Sequence, residues 1–104
     1  MPEKRDDITR EIDDVIGLVL SGFEDVLISG VLEDRLMRLI GVLKESPLAA
    51  GEEVEQARLL YSYVHALRVR VISLRSRRGL SRARDRILSG LVALRGSLAA
   101  RSGR

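Results

Sequence analysis

Arginine is the residue type in this chain that most clearly indicates a chemical role, the binding of anions. The 104 residues include sixteen arginines and only two lysines. Guanidinium groups bind carboxylates and phosphates through paired hydrogen bonds, so a dense group of them predicts an anionic partner. Eight arginines fall close together in the second half: Arg68, Arg70, Arg75, Arg77, Arg78, Arg82, Arg84 and Arg86.

The last arginines of this group are placed where a helix does not favour them. Arg82, Arg84 and Arg86 fall in the first turns of a predicted helix, where the helix dipole is also positive, and only Asp85 compensates locally. We therefore expect an anion to meet them, on an acidic protein partner or a nucleic acid. The alternative is pairing within the chain, with carboxylates of the first half: Glu24, Asp25, Glu33 and Asp34.

The charge distribution along the chain supports both interpretations. Residues 1–57 hold 6 basic and 14 acidic side chains, a net charge of −8, and residues 58–104 hold 12 and 1, a net charge of +11. This asymmetry favours nucleic-acid contact, an acidic partner, or attraction between halves of one chain or of neighbouring chains. Aromatic residues are too few for base stacking, so contact with nucleic acid is expected at phosphates, with little sequence specificity.

Catalysis would have to depend on the single histidine. Arg58 and His65 are separated by six residues, which loosely matches the Arg-x4–6-His motif of helical HEPN ribonucleases, and both lie on nearly one helix face. A histidine there is capable of general base catalysis. A lone histidine beside Tyr61 is more often structural, however, and the sequence contains neither a nucleophile motif nor a glycine-rich phosphate loop. We therefore expect a non-enzymatic protein.

Metal and cofactor sites are not predicted. The sequence has no cysteine, which excludes thiolate metal ligands and disulfides. The acidic pairs Asp13-Asp14, Glu24-Asp25 and Glu33-Asp34 consist of adjacent residues, which diverge by about 100° on a helix and do not converge on an ion. We expect them to be solvated or paired with arginine.

Apolar residues at steps of three and four predict four helices and no strand. The first covers residues 7–21, capped by Asp6 or Asp7 and interrupted at Ser21-Gly22, and segment 23–30 is ambiguous. The second begins near Gly30 and stops at Ser46-Pro47, and residues 48–51 form a loop. The third covers about residues 52–77, terminated by Gly79. The fourth is capped by Ser81.

Four such segments with short connections predict an all-α, single-domain bundle over residues 1–104, with residues 1–6 and 100–104 frayed. The spacing in the third helix also permits a seam to a second chain, so a dimer is an open alternative. Core or interface positions expected on this helix are Leu60, Val64, Leu67, Val71 and Leu74.

Localisation and origin are expected from composition. No signal peptide is evident, and the longest uncharged stretch, Val15–Phe23, is far shorter than the roughly 20 residues of a membrane span. We expect a cytoplasmic protein. The chain has no asparagine and one glutamine, a depletion of thermolabile residues that suits a thermophile.

One segment of the third helix is similar to a known family. Its sequence runs Glu55-Gln56-Ala57-Arg58-Leu59-Leu60-Tyr61-Ser62-Tyr63 and continues with Leu67-Arg68-Val69-Arg70-Val71-Ile72. This resembles the signature helix of GINS subunits, accessory factors of the replicative helicase, in which Ser-Tyr is followed after six residues by a basic residue and then Ile or Val. The departures are a missing Pro-containing segment, Arg58 one position out of register, and no small β-domain.

The GINS resemblance implies a non-catalytic scaffold subunit that joins a helicase, polymerase or primase assembly. The sequence therefore predicts an adaptor of a nucleic-acid-processing complex, acting through helical interfaces and the arginine group. A direct, sequence-nonspecific nucleic-acid binder and a HEPN-like ribonuclease are the alternatives. Expected partners are proteins, in a hetero- or homo-oligomer, with nucleic acid through phosphate contacts and no membrane.

Overall fold

The computed structural model describes the backbone of residues 3–47, 49 and 51–102, and the side chains of residues 7–47, 49 and 51–100. In that part of the chain, four helices and no strand are present. The helices are α1 (Glu3–Ser29), α2 (Val31–Glu45), α3 (Gly51–Leu74) and α4 (Leu80–Ser102). The predicted all-α bundle is confirmed.

The four helices surround one apolar core in chain order. Each of α1 and α3 packs against both α2 and α4, and α1 also touches α3 across the core. The bundle is elongated, with dimensions of 46 × 20 × 18 Å. Its fully enclosed side chains come mainly from α1, α2 and α4: Ile12, Val15, Val19, Leu27, Leu32, Leu36, Leu39, Leu43, Ile87, Leu91 and Leu94.

Helix α1 is longer than predicted at both ends. It begins at Glu3, so the expected cap by Asp6 or Asp7 is wrong. The interruption expected at Ser21-Gly22 is a kink, because Gly22 leaves the helical conformation with φ −174° and ψ 67°, and the chain then resumes the helix to Ser29. The ambiguous segment 23–30 is therefore mostly helical, and it places Phe23 and Leu27 in the core.

Gly30 forms the corner between α1 and α2. Its φ of 88° is left-handed, a conformation that glycine adopts without a steric penalty, and its carbonyl accepts the first helical hydrogen bond of α2 from the Asp34 N–H at 3.0 Å. A Cβ at this position would lie 3.3 Å from the guanidinium carbon of Arg68. Conformation and space both favour glycine here.

No single described helix is long and apolar enough to cross a membrane. Segments Asp7–Ser29 and Val31–Glu45 reach the required length and composition only when taken together, and they are bent by 101° at the break between them.

The predicted boundary between α3 and α4 is wrong. Helix α3 ends at Leu74 rather than near residue 77, because Arg75 adopts a left-handed φ of 50° that stops the helix. Gly79, with φ 77°, does not terminate α3 but precedes α4, where its carbonyl accepts a hydrogen bond from the Ala83 N–H at 2.9 Å. The expected cap, Ser81, lies inside the first turn of α4.

The predicted inner stripe of α3 is largely confirmed. Val64, Leu67 and Val71 are buried. Leu60 is half-buried against α4, where a Cβ at Gly90 would lie only 2.6 Å from Leu60 Cδ2, so Gly90 permits this close approach. Leu74, expected at a core or interface position, does not lie in the core. It is 69% exposed, because α3 ends at this residue.

Leu67→Ala is expected to lower the free energy of unfolding by roughly 2–5 kcal/mol, since the side chain is 6% exposed and its removal leaves a cavity. Leu20→Ala is the matched control, because Leu20 is 62% exposed, and should change stability by less than about 0.5 kcal/mol. Urea denaturation followed by circular dichroism measures both. Equal effects of the two changes would contradict the described packing.

Candidate anion-binding surface

The eight arginines predicted as a contact surface lie around one end of the bundle, formed by the end of α3, loop 75–79 and the first turns of α4. The structure brings them together in space but does not give them one role. Four of them contact other groups of the same chain, one pairs with its sequence neighbour, and three have no carboxylate partner among the described residues.

Arg68 is a structural residue at the α1–α2 corner. Its Nε donates to the Ile28 carbonyl at 3.0 Å, and its Nη1 lies 3.3 Å from Glu33 Oε2. Ile28 belongs to the last turn of α1, whose carbonyls lack partners within the helix, and Glu33 to the first turn of α2. One half-buried guanidinium therefore joins three helices.

His65 completes this corner. Its Nδ1 lies 2.8 Å from Glu33 Oε1, and its ring stacks on Tyr61 with centroids 6.3 Å apart. The Glu33 side chain is only 10% exposed, and its two carboxylate oxygens contact His65 and Arg68, one each. The His65 side chain itself is 56% exposed, and Arg58, two turns earlier on α3, is exposed as well.

Arg77 fixes loop 75–79 to α1. Its Nε donates to Glu24 Oε2 at 2.6 Å. This hydrogen bond, together with the charge of the Glu24 carboxylate, raises the pKa of Arg77 above its ordinary value. The first half of the chain thus neutralises two members of the arginine group, through Glu24 and Glu33, as the intramolecular alternative predicted for these carboxylates.

Three further arginines make contacts close to the loop. Arg70 Nη2 donates to the Arg78 carbonyl at 3.3 Å, which ties the loop back to α3. The guanidinium carbon of Arg86 lies 4.8 Å from the centre of the Tyr63 ring, a cation–π contact between α4 and α3. Arg84 has Asp85 Oδ1 at 3.6 Å, a long contact between neighbours.

Arg75, Arg78 and Arg82 are the arginines left for a ligand. All three are exposed, and no carboxylate of the described residues lies within 4.0 Å of their guanidinium groups. We call these three residues the arginine surface. Arg75 also borders a shallow cavity lined by Ile28, Val71, Ile72 and Arg77.

The backbone at Arg75 is strained. A left-handed residue other than glycine costs about 1–2 kcal/mol, because Cβ approaches the following carbonyl. Such residues persist where the surrounding structure fixes them, and they are concentrated at functional sites. Sequence periodicity gave no signal for this conformation, since nothing distinguishes Arg75 from its neighbours in type.

The acidic pairs are divided between arginines and solvent. Asp13 pairs with Arg95 at 2.8 Å and Asp14 with Arg35 at 3.3 Å, so the expectation of arginine pairing is confirmed for them. No group of three metal-ligating side chains is present among the described residues. Sequence reasoning missed Glu11, which is buried and lies 3.3 Å from both Arg35 and Arg38.

The segment of α3 around Tyr63 and Arg70 packs against α4 and the loop that precedes it. Tyr63 and Arg70, seven residues apart, share the side of α3 that faces α4: Tyr63 lies under Arg86, and Arg70 bonds the loop that precedes α4. Val71 is buried, and Ser62 is exposed. The spacing of Tyr63 and Arg70 therefore matches the requirements of α3–α4 packing.

Glu33→Gln is expected to lower the free energy of unfolding by about 1–3 kcal/mol, because the neutral amide keeps the shape but loses the charge-assisted bond to Arg68. Asp34→Asn is the matched control: it removes the same charge from the same helix turn at an exposed position. Denaturant melts compare the two. If both variants lose the same stability, the corner bond contributes nothing beyond the helix dipole.

No protein-family model, curated protein or solved structure matches the chain.

Proposed function

We propose that this protein is a non-catalytic binding subunit of a nucleic-acid-processing assembly, and that the arginine surface is its contact with an anionic partner. The observation that carries the proposal is the set of three exposed arginines, Arg75, Arg78 and Arg82, without a carboxylate among the described residues. Guanidinium groups so placed suit phosphate oxygens and carboxylates.

The proposal is supported by the difference in contacts between the arginines that pair within the chain and the three of the arginine surface. If all eight arginines existed to hold the fold together, each should meet a carboxylate or a carbonyl as Arg68 and Arg77 do. Arg75, Arg78 and Arg82 instead repel one another around a five-residue connection, which folding alone gives little reason to favour. Binding an anion relieves that repulsion.

Phosphate contact fits this surface better than recognition of bases. The three aromatic residues are all engaged elsewhere: Phe23 in the core, Tyr61 against His65, and Tyr63 under Arg86. Base stacking on the protein therefore has no platform near the loop. A nucleic-acid partner, whether held directly or within the assembly, is expected to be bound through its backbone and without strong sequence preference.

The GINS-like role and direct nucleic-acid binding differ in the identity of the first partner. In the first, exposed apolar side chains of α3 contact other subunits, and Ile72 and Leu74 are available for this. In the second, the arginine surface suffices. The HEPN-like alternative is less favoured, since Nδ1 of His65 is engaged with Glu33 and its ring is stacked on Tyr61.

Replacing Arg75, Arg78 and Arg82 together by Gln is expected to weaken binding of a short DNA or RNA duplex at least tenfold. Each lost phosphate contact lowers the slope of log K against log salt by about 0.9, so the three changes should reduce it by up to about 3. Fluorescence anisotropy at several salt concentrations measures both quantities. Thermal stability should change little, because the three side chains are exposed.

The matched control replaces Arg10, Lys44 and Arg58 by Gln, which changes the net charge equally at exposed positions of α1, α2 and α3 where no carboxylate of the described residues lies within 4.0 Å. It should leave most of the affinity and the salt slope intact. Equal losses in both triple variants would reduce the effect to net charge and contradict a defined surface. A collapse of stability in the first variant, with unchanged binding, would make the loop arginines an internal clamp.

Arg75→Gly separates stability from binding at one residue. Relief of the left-handed strain of about 1–2 kcal/mol is partly offset by the greater freedom of glycine in the unfolded chain, about 0.4–1 kcal/mol, so stability should stay equal or rise by up to about 1.6 kcal/mol. Binding to the same duplex should weaken. Arg75→Lys, which keeps charge but not the bidentate fork, should bind with intermediate affinity. A stabilised variant with undiminished binding would remove Arg75 from the surface.

A further inference from the structure

Helix α3 carries a second regular stripe on the side opposite the core. Its inner stripe contains Val64, Leu67 and Val71, which are buried against the other helices. The outer stripe follows alternating steps of three and four residues and consists of Leu59, Ser62, Ala66, Val69 and Ser73, all of which are exposed. It contains no charged residue, and Leu59 and Val69 expose 62% and 48% of their surface. Such a stripe is typical of a helix that packs on another helix.

The order of side-chain sizes in the outer stripe is self-complementary when the direction is reversed. With a second α3 antiparallel to the first, Leu59 lies opposite Val69 of the second copy, and Ser62 opposite Ala66 of the second copy. Small residues then meet small residues at the centre, which permits a close approach of the two backbones, and large residues flank them on both sides. In a parallel pair, Leu59 faces Leu59 and the small positions form gaps between bulky layers.

Charge favours the same antiparallel direction. Helix α3 begins with Glu52 and Glu55 on its exposed side and is followed by Arg75 and Arg78. In the antiparallel register, Glu55 of one copy lies beside Ser73 of the other, so the acidic start of each helix meets the basic end of its partner. A parallel pair places like charges together at both ends, which opposes association.

We infer that the outer stripe of α3 is the interface of a symmetric, antiparallel homodimer, centred between Ser62 and Ala66. The two-fold axis makes each copy present the same stripe to the other, as closed dimers require. The stripe itself carries no arginine; Arg75 and Arg78 follow its last residue in sequence and enter the inference only through the direction of pairing that their charge favours.

Disulfide trapping tests the register directly, since the chain has no cysteine of its own. Ser62→Cys and Ala66→Cys proteins of different tag length are mixed and oxidised. The main covalent product should be the mixed pair, because a disulfide needs Cα atoms about 4.4–6.8 Å apart and this register places the two residues opposite each other. Each variant alone should react more slowly, being offset by four residues, or about 6 Å along the axis.

Ser73→Cys is the matched control on the same stripe. In the antiparallel dimer its nearest copy is 18 residues away, about 27 Å along the axis, and no covalent dimer should form above the level of random collision. In a parallel dimer it would be trapped as readily as the central positions, and that result would overturn the inference. Equal, slow reaction of all mixtures would overturn it as well.

The mass in solution provides a second measurement. The unmodified protein is expected to sediment as a dimer, and Ala66→Glu should raise the dissociation constant at least tenfold, because it places two carboxylates in the apolar seam. Ala93→Glu, at an exposed position of α4, should remain dimeric. A monomeric unmodified protein contradicts the inference. Duplex binding by monomeric Ala66→Glu protein would show that the arginine surface works independently, so failure of one proposal is distinguishable from failure of the other.

Discussion

The two hydrogen bonds by which Arg68 joins α3 to the α1–α2 corner, to the Ile28 carbonyl and to the Glu33 carboxylate, are the interactions on which the rest of the bundle depends. A helix leaves its last carbonyls without partners within the helix, and here only Gly30 lies between the end of α1 and the start of α2. Arg68 reaches across from α3, bonds the Ile28 carbonyl and neutralises Glu33. The left-handed Gly30 leaves room for the guanidinium, and removing that space by adding a side chain would displace it.

This corner also determines where the arginine surface is displayed. Because Arg68 fixes α3 against the end of α1, the last turns of α3 and loop 75–79 lie beside Glu24, and Arg77 can pair with it. The loop is then held on a second side by the bond from Arg70 to the Arg78 carbonyl. Two arginines with structural roles therefore position the neighbouring arginines that are exposed. A loop without these attachments would present the same charges in no fixed arrangement.

Sequence periodicity predicted the helices well, because steps of three and four residues follow directly from the helical repeat. It predicted their ends poorly. The left-handed Arg75 has no signal in residue type, so the sequence extends the third helix past its true end and places Leu74 among the core or interface positions. Gly79 was recognised as a residue with unusual φ, but glycine precedes one helix as readily as it follows another, and only the structure distinguishes the two.

The sequence predicted that the eight arginines lie close together, but it did not predict which of them pair within the chain and which remain without a carboxylate partner. Glu24 and Arg77 are 53 positions apart, and Glu33 and Arg68 are 35 apart, so no local pattern links them. The charge distribution predicted nucleic-acid contact, an acidic partner, or attraction between the two halves, and it identified no individual pair. Among the described residues, the ion pairs that join the two halves include Arg68 with Glu33, Arg77 with Glu24, and Arg95 with Asp13.

These pairs do not include Arg75, Arg78 or Arg82, which have no carboxylate partner among the described residues. Residues 58–104 carry a net charge of +11, and the carboxylates Asp25 and Asp34, which lie beside the paired ones in sequence, are exposed rather than drawn to the loop. An exposed ion pair contributes only about 0–1 kcal/mol to stability. Additional pairs between these carboxylates and the arginines of loop 75–79 would therefore stabilise the fold little. A few ion pairs, Arg68–Glu33 at the corner and Arg77–Glu24 at the loop, therefore hold this end of the bundle together. The exposed arginines beside them leave a positive potential there. That residual potential, fixed in place by the neutralised arginines, is the property that a partner of opposite charge can use.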